Sequence, residues 1–253
     1  MTENARVNKG SSLSGKMFLY DNPELLNAEE HGSIGFTPAE RPFEFASGVR
    51  AIPLTMIEIG SAQRHYPVIF SSLKDPVPLA VVGVIDDVNL FVDENGNWDQ
   101  MAYVPTYLRC HPFTFAVEKS GQMAVVVDRD ARTVSETPRF PFFVDGKVSE
   151  HTDALMQLCA QYEAERKRTQ EFCKKLVELD LLVMLSAMHK PEGSDEQESM
   201  ADYVAIDAKK LDALPADVIY EMHKVGFLSA SYLHLYSLEN WRHLMARRVA
   251  RSA

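Results

Sequence analysis

A chain of 253 residues, 46% hydrophobic and 25% charged, is long enough for one large domain or two small ones sharing a core, and its composition excludes wholesale disorder. Lys and Arg number 26 against 36 Asp and Glu, a formal net charge of −10, and so acidic a surface repels a polyanion and argues against a dedicated nucleic-acid binder. Three cysteines, Cys110, Cys159 and Cys173, are too few for a disulfide framework and read as free thiols of a reducing compartment.

Residues 1–16, rich in Ser, Gly, Asn and Lys, read as a flexible leader without the apolar core of a secretory signal. The longest apolar runs fall short of the roughly 18 residues of a membrane span, so no span is expected and the cytoplasm is the expected location. From Met17 to Glu150 the chain is rich in Pro, Gly and β-formers with recurrent turn signals, the pattern of a β-rich half. Ala51–Leu54 reads as a short strand, and Thr55 as the N-cap of a brief helix from Met56 to about Arg64 that stops before Pro67. Pro76–Val84 suits a strand covered on both faces. Asn95-Gly96 signals a hairpin after Asn89–Val92, Ser120-Gly121 a second between Phe113–Val117 and Met123–Val127, and Asp145-Gly146 a third.

The pattern changes near Ser149. Thr152 to about Asp180 contains no Gly or Pro and places Leu155, Cys159, Tyr162, Thr169, Phe172, Cys173, Leu176 and Leu179 at helical spacing, with Glu163–Lys167 and Glu171–Lys175 as i,i+4 pairs on the wet side. Leu181–Met188 and Tyr203–Ile206 read as strands around a polar acidic tip, Lys190–Ser199. Asp207 caps a turn, Val218–Lys224 forms a short helix stopped by Gly226, and Phe227–Arg248 reads as one final helix. The expected architecture is α+β: a curled antiparallel or mixed sheet in residues 17–150, with a mainly helical half, 151–253, packed on it.

No common catalytic motif is present. The eight histidines form no HxH or HExxH pair, the cysteines no Cys-x-x-Cys, and no glycine-rich phosphate loop or GxSxG elbow occurs, so no metal and no cofactor is expected. His65, His111 and Asp128 lack a fixed metal-ligand spacing. Arg64-His65-Tyr66 is the densest polar cluster of the β-rich half. It fits two roles: gripping an anionic or carbonyl group, or locking a helix-to-strand junction by bonding backbone carbonyls. Trp98, Tyr103, Tyr107, Arg109 and His111 likewise suit either an aromatic-lined polar pocket or a packed sheet edge. Near the C-terminus Arg242, Arg247, Arg248 and Arg251 follow Glu239 with no further acid, a cationic helix end that either complements its own dipole or meets an acidic partner or anionic surface.

Read together, Ala51–Thr55, Arg64–Phe70, Pro76–Leu79, Asn89–Trp98, Tyr103–Pro105, Arg109 with Pro112-Phe113, Arg168–Cys173, Leu179–Leu182, His234-Leu235 and Ser237–Asn240 resemble the SapC family of bacterial surface-layer-associated proteins from Met17 to about Arg247. The resemblance implies one integrated domain over 17–247 and a place in building or exporting surface material. It further implies a multi-protein pathway whose members include flavin halogenase-like and cupin-like proteins. The leading expectation is a cytoplasmic accessory or interaction protein without catalysis of its own, using Arg242, Arg247 and Arg248 toward partners. The alternative is a small-molecule-binding protein or enzyme with a pocket of Arg64, His65, Tyr66, Trp98, Tyr103, Arg109 and His111.

Overall fold

The computed structural model describes residues 17–84, 87–117, 123–189 and 198–252. The leader 1–16, the Ser120-Gly121 turn and most of the acidic tip therefore lie outside the described residues. In chain order the first elements are β1 (Pro23–Leu25), α1 (Ala28–His31), β2 (Gly35–Phe36), β3 (Ala51–Pro53), α2 (Ile59–Ala62), β4 (Val68–Phe70), β5 (Pro78–Val81), α3 (Thr106–Cys110), β6 (Phe113–Val117) and β7 (Met123–Asp128). Four short strands follow, β8 (Val134–Ser135), β9 (Phe140–Pro141), β10 (Phe143–Val144) and β11 (Lys147–Val148), then the long helix α4 (Glu150–Glu178). The chain closes with β12 (Leu182–His189), β13 (Glu198–Ile206), α5 (Ala208–Asp212), α6 (Ala216–Lys224), α7 (Phe227–Ser237) and α8 (Asn240–Ser252). The fold is α+β, with every strand pair antiparallel. No helix among the described residues is long and apolar enough to cross a membrane.

The described residues form two compact units, each built from two separated stretches: those within 17–39 and 110–159, and those within 40–109 and 160–252. In the first, β7 lies between β1 and β6, and β2 between β8 and β9. Gly35 is required in β2 because a Cβ there would lie 2.3 Å from the Phe140 carbonyl oxygen. Asp145 and Gly146 both adopt positive φ between β10 and β11, the two-residue turn expected from that pair. Phe113 and Phe142 are fully buried with rings 5.1 Å apart, and the Tyr20 hydroxyl donates to the Phe113 carbonyl at 2.7 Å.

Asp128 closes this unit. Its buried carboxylate accepts the backbone N–H groups of Asn22 at 2.9 Å and Asp21 at 3.1 Å and lies 3.4 Å from His111 Nε2. Burial alone raises its pKa, but the bonds from His111, Asn22 and Asp21 together outweigh that and hold the carboxyl below the usual range.

In the second unit a five-stranded sheet runs β12-β13-β4-β5-β3. The 29-residue α4, whose residues 150–159 belong to the first unit and 160–178 to the second, begins where Thr152 N–H bonds Ser149 Oγ and ends at Asp180, whose φ of 51° lets Leu181 N–H return to the Leu176 carbonyl. Lys210 pins that turn through Asp180 Oδ2 at 2.6 Å. The predicted stripe is on the buried side, with Phe172 and Leu176 fully covered. Glu163 pairs with Arg166 and Lys175 with Glu178, three residues away, where the sequence suggests four.

Phe227–Arg248 is not one helix. A turn at Leu238-Glu239 divides it into α7 and α8, because the side chains at the break are committed to tertiary bonds. Ser237 Oγ accepts Val68 N–H at 2.9 Å, and the Asn240 amide donates to the carbonyls of Gln63 at 2.6 Å and Tyr66 at 3.1 Å. His234, fully buried on α7, accepts Ile206 N–H at 3.1 Å through Nε2, and burial lowers its pKa to about 3.

A carboxylate whose folded pKa is depressed contributes its full stability above the unfolded value of about 4 and loses it as pH falls through the folded value. Asp128→Asn is therefore expected to cost about 2 kcal/mol near pH 7, by the usual worth of charge-assisted hydrogen bonds. The gap to wild type should close as acid protonates Asp128 below about pH 4, read from chemical denaturation at stepped pH.

Candidate functional site

Within the second unit the polar chemistry gathers around one buried carboxylate, Glu58, at 5% exposure. Thr55 starts the turn as a capping box: its N–H and hydroxyl both donate to Glu58 Oε2 at 2.8 Å. The other oxygen, Oε1, accepts the Tyr103 hydroxyl at 2.9 Å and Thr106 N–H at 2.7 Å. Alongside, Met56 N–H donates to Thr169 Oγ1 of α4 at 2.7 Å, which docks the start of this turn on the long helix.

Tyr103 passes the constraint on, because its carbonyl accepts the hydroxyl of the fully buried Tyr66. Burial drives the Tyr66 phenol far above its ordinary pKa, so it stays a neutral donor. Burial followed by the Glu58 charge raises Tyr103 in the same sense. The Tyr66 ring meets Phe91 edge-on at 4.6 Å, and Phe91 stacks with Trp98 at 6.0 Å.

Residues 89–99 fold over these rings as a tight loop. Buried Asn89 donates to the Ala46 carbonyl at 3.0 Å and accepts Phe91 N–H at 2.9 Å. Asp93 Oδ1 accepts the N–H groups of Asn95 and Asn97 at 2.9 and 2.8 Å, led by Asn97 in keeping its carboxyl below the usual range. The expected hairpin reduces to a single bridge, Val92 to Trp98, flanked by backbone bonds from Asp93 N–H to the Asn97 carbonyl at 2.9 Å and from Asp99 N–H to the Phe91 carbonyl at 2.8 Å. Gly96 has a φ of 71°, and a Cβ there would lie 2.7 Å from Arg41 Cβ.

Two arginines of α8 clamp the loop. Arg247 donates to Asp99 Oδ2 at 2.6 Å with its guanidinium carbon 4.3 Å from the Phe91 centroid, a salt bridge and a cation–π contact made by one group. Arg251 donates to the Asn89 and Val92 carbonyls at 2.8 and 3.0 Å. Between loop and helix lies an open cleft of about 570 Å³ walled by Val92, Asp93, Trp98, Asp99, Arg247 and Arg251. Burial raises the Asp99 pKa, but Met101 N–H and the Arg247 bond and charge outweigh it, and the carboxyl titrates low. His65 is lowered by burial first, then by Arg64, with Arg247 adding and Asp99 opposing.

The structure thus brings together five of the sequence candidates, His65, Tyr66, Trp98, Tyr103 and Arg247, around Phe91 and Asp99. Arg64 and Arg109 are exposed and neither lines the cleft. His111 belongs to the other unit, on Asp128 and 5.3 Å from the Tyr20 ring. Arg242 pairs with Glu239 at 2.8 Å in solvent, and Arg248 is half-buried on α8. Glu58, Phe91, Asp99 and Arg251 escaped the sequence reading as site residues, although Thr55-x-x-Glu58 is a visible capping-box signature. All three cysteines are buried, and burial pushes the Cys173 thiol up to about 12. No cluster of three or more His, Cys, Asp or Glu among the described residues is suited to a metal.

Fold and cleft together define an α+β protein of antiparallel sheets with an arginine-clamped loop beside an open cleft. A family model, SapC, matches residues 26–244, and the chain belongs to the SapC family. No curated protein and no solved structure matches it.

Glu58→Gln would turn an amide toward groups that already donate. It is expected to cost about 3 kcal/mol in urea denaturation, the scale for stripping one partner from a buried charged network. Arg247→Ala removes a positive charge near His65 and leaves Asp99 unopposed. The His65 pKa should then rise in an NMR titration, with a stability loss of about 1 kcal/mol.

Proposed function

We propose that this SapC-family protein is an accessory protein of a surface-associated pathway, acting from the cytoplasm by binding other proteins of that pathway and performing no chemistry itself. The observation that carries the reading is the engagement of its reactive-type side chains with one another. The hydroxyls of Tyr66 and Tyr103 each donate to an internal acceptor, Glu58 takes four donors, and Arg247 is bonded to Asp99. Groups fixed in this way hold the fold beneath the cleft loop, whereas general acid–base work needs a group free to exchange its proton with a substrate. The flavin halogenase-like and cupin-like proteins implied by the family resemblance are the first partners to test.

The cleft supports a second reading, a binding site for a small polar molecule. Its volume of about 570 Å³ lies in the range of ligand pockets, and it offers carboxylates and guanidinium groups from facing walls. This version of the alternative rests on Trp98, Asp99, Arg247 and Arg251, with His65 and Tyr66 as support and without Arg64, Arg109 or His111.

The deciding experiment is affinity purification of the full chain from its native host, followed by reconstitution with the purified partner. A pathway protein recovered in stoichiometric amount, rebinding in vitro without turnover by this chain, is the expected result. Turnover of a small molecule by the isolated chain, abolished in a folded Arg247→Ala variant, overturns it.

A further inference from the structure

We propose that the cleft between residues 89–99 and α8 binds a small zwitterion of the α-amino-acid type, its carboxylate on Arg251 and Arg247 and its ammonium on Asp93 and Glu94. The inference rests on the second reading above, a site for a small polar molecule, and names the chemistry of that molecule.

The helix wall supplies the contact for an anion. Arg251 spends one nitrogen, Nη1, on both loop carbonyls, Asn89 at 2.8 Å and Val92 at 3.0 Å. Its Nε and Nη2 make no bond among the described residues, and no carboxylate among them pairs with it. Those two nitrogens form the edge that takes a carboxylate in two parallel bonds. Arg247 lies one turn earlier on α8 and lines the same cleft. Only its Nη2 is bonded, to Asp99 at 2.6 Å, while the Phe91 ring holds the guanidinium in place. Neither arginine can swing away without giving up a carbonyl, carboxylate or ring contact, so both are ordered before a ligand arrives.

The loop wall supplies the opposite charge. Asp93 Oδ1 is held by the N–H groups of Asn95 and Asn97, which leaves Oδ2 with only the Asn97 amide at 3.4 Å. The same bonds, led by Asn97 N–H, keep this carboxyl below the usual range and therefore ionised. The Glu94 side chain makes no hydrogen bond or ion pair among the described residues, and its backbone carbonyl alone is engaged, by Arg41 at 2.9 Å. Opposite charges that line one cleft would ordinarily pair with each other. Here Arg251 is tied to the Val92 carbonyl while Asp93 turns onto amides further along the loop, so the two stay apart. They are nonetheless close, because Val92 and Asp93 are neighbours and consecutive Cα atoms lie about 3.8 Å apart. An α-amino acid, with both charged groups on one carbon, matches that spacing.

Charge balance separates this ligand from simpler ones. Three carboxylates, Asp93, Glu94 and Asp99, line the cleft against two guanidinium groups. A phosphate or dicarboxylate would meet Asp93 and Glu94 with no positive group to offer, and a bare amine would leave the Arg251 edge unfilled. A zwitterion opposes neither wall. The cleft volume of about 570 Å³ leaves room for a side chain beside Val92 and Trp98.

The test is an NMR titration of the full-length chain with L-alanine and L-phenylalanine. Acetate, inorganic phosphate and ethylamine, each carrying charge of one sign, are titrated beside them. Both amino acids are expected to shift the amides of residues 93–99 saturably, with the three other probes binding at least about tenfold more weakly. Arg251→Gln and Glu94→Gln each remove one charge from an exposed side chain. Each should weaken amino-acid binding roughly tenfold and leave the circular dichroism spectrum unchanged. Acetate or phosphate binding as tightly as the amino acids, and lost in Arg251→Gln, overturns the zwitterion and leaves the small-molecule reading standing. Amino-acid binding undiminished in both variants also overturns the proposal, since the ligand then lies elsewhere. No shift from any of the five probes overturns it as well, whereas the small-molecule reading falls only if a metabolite extract of the host also leaves these amides unmoved.

Discussion

A carboxylate removed from water must find its hydrogen bonds inside the protein, and the solution found for Glu58 organises much of the larger unit. Two of its donors come from the same turn and two from residues 45 and 48 positions away. One side chain thereby ends a strand, starts a helical turn and fixes the entry to α3. Tyr103 extends the constraint, since the same residue that donates to Glu58 receives Tyr66 through its carbonyl. Tyr66 in turn sets the rings on which the 89–99 loop rests. A charge-assisted network of this kind is specific because each member has a single satisfactory arrangement.

The C-terminal helix gains its place from the same region. A helix with four arginines and no acid has no use for all of that charge in solution alone. Arg247 and Arg251 spend theirs on Asp99, on the Phe91 face and on two loop carbonyls, so the cationic end serves as an internal clamp as well as a surface. Arg242 faces outward and pairs with its neighbour Glu239 in solvent, where such pairs are weak. The division of α7 from α8 belongs to this arrangement. Without a turn after Ser237, the Asn240 amide would not meet the carbonyls of Gln63 and Tyr66, and the α2–β4 junction would keep unsatisfied acceptors.

Local chemistry was legible wherever it is periodic or needs a special backbone. The apolar stripe of α4, the Asp145-Gly146 turn, the Thr55 cap and the glycine stop at Gly226 all act within a few residues of themselves, and each is where the sequence pattern puts it. The candidate site was legible in part. His65, Tyr66, Trp98, Tyr103 and Arg247 stood out as chemically rich, and they converge. Arg64 and Arg109 share that richness but point to solvent, because chemical type does not encode direction. Asp99 and Phe91 passed unnoticed as site residues, since neither side chain is of a catalytic type in a catalytic pattern and both acquire a role only when Arg247, about 150 positions later, lies against them.

The sequence by itself determined the class of the fold, most element positions, the acidic body with its basic end, and membership of the SapC family. Tertiary structure alone decided that Tyr66 is a locked donor rather than a free phenol. It also decided that His111 serves Asp128 and that the last apolar stripe is two helices. The physical reason is range. Propensity, capping and periodicity act over one or two turns of chain, whereas pairing a buried charge or ordering strands in a sheet depends on groups that only the folded chain brings within 3 Å of each other.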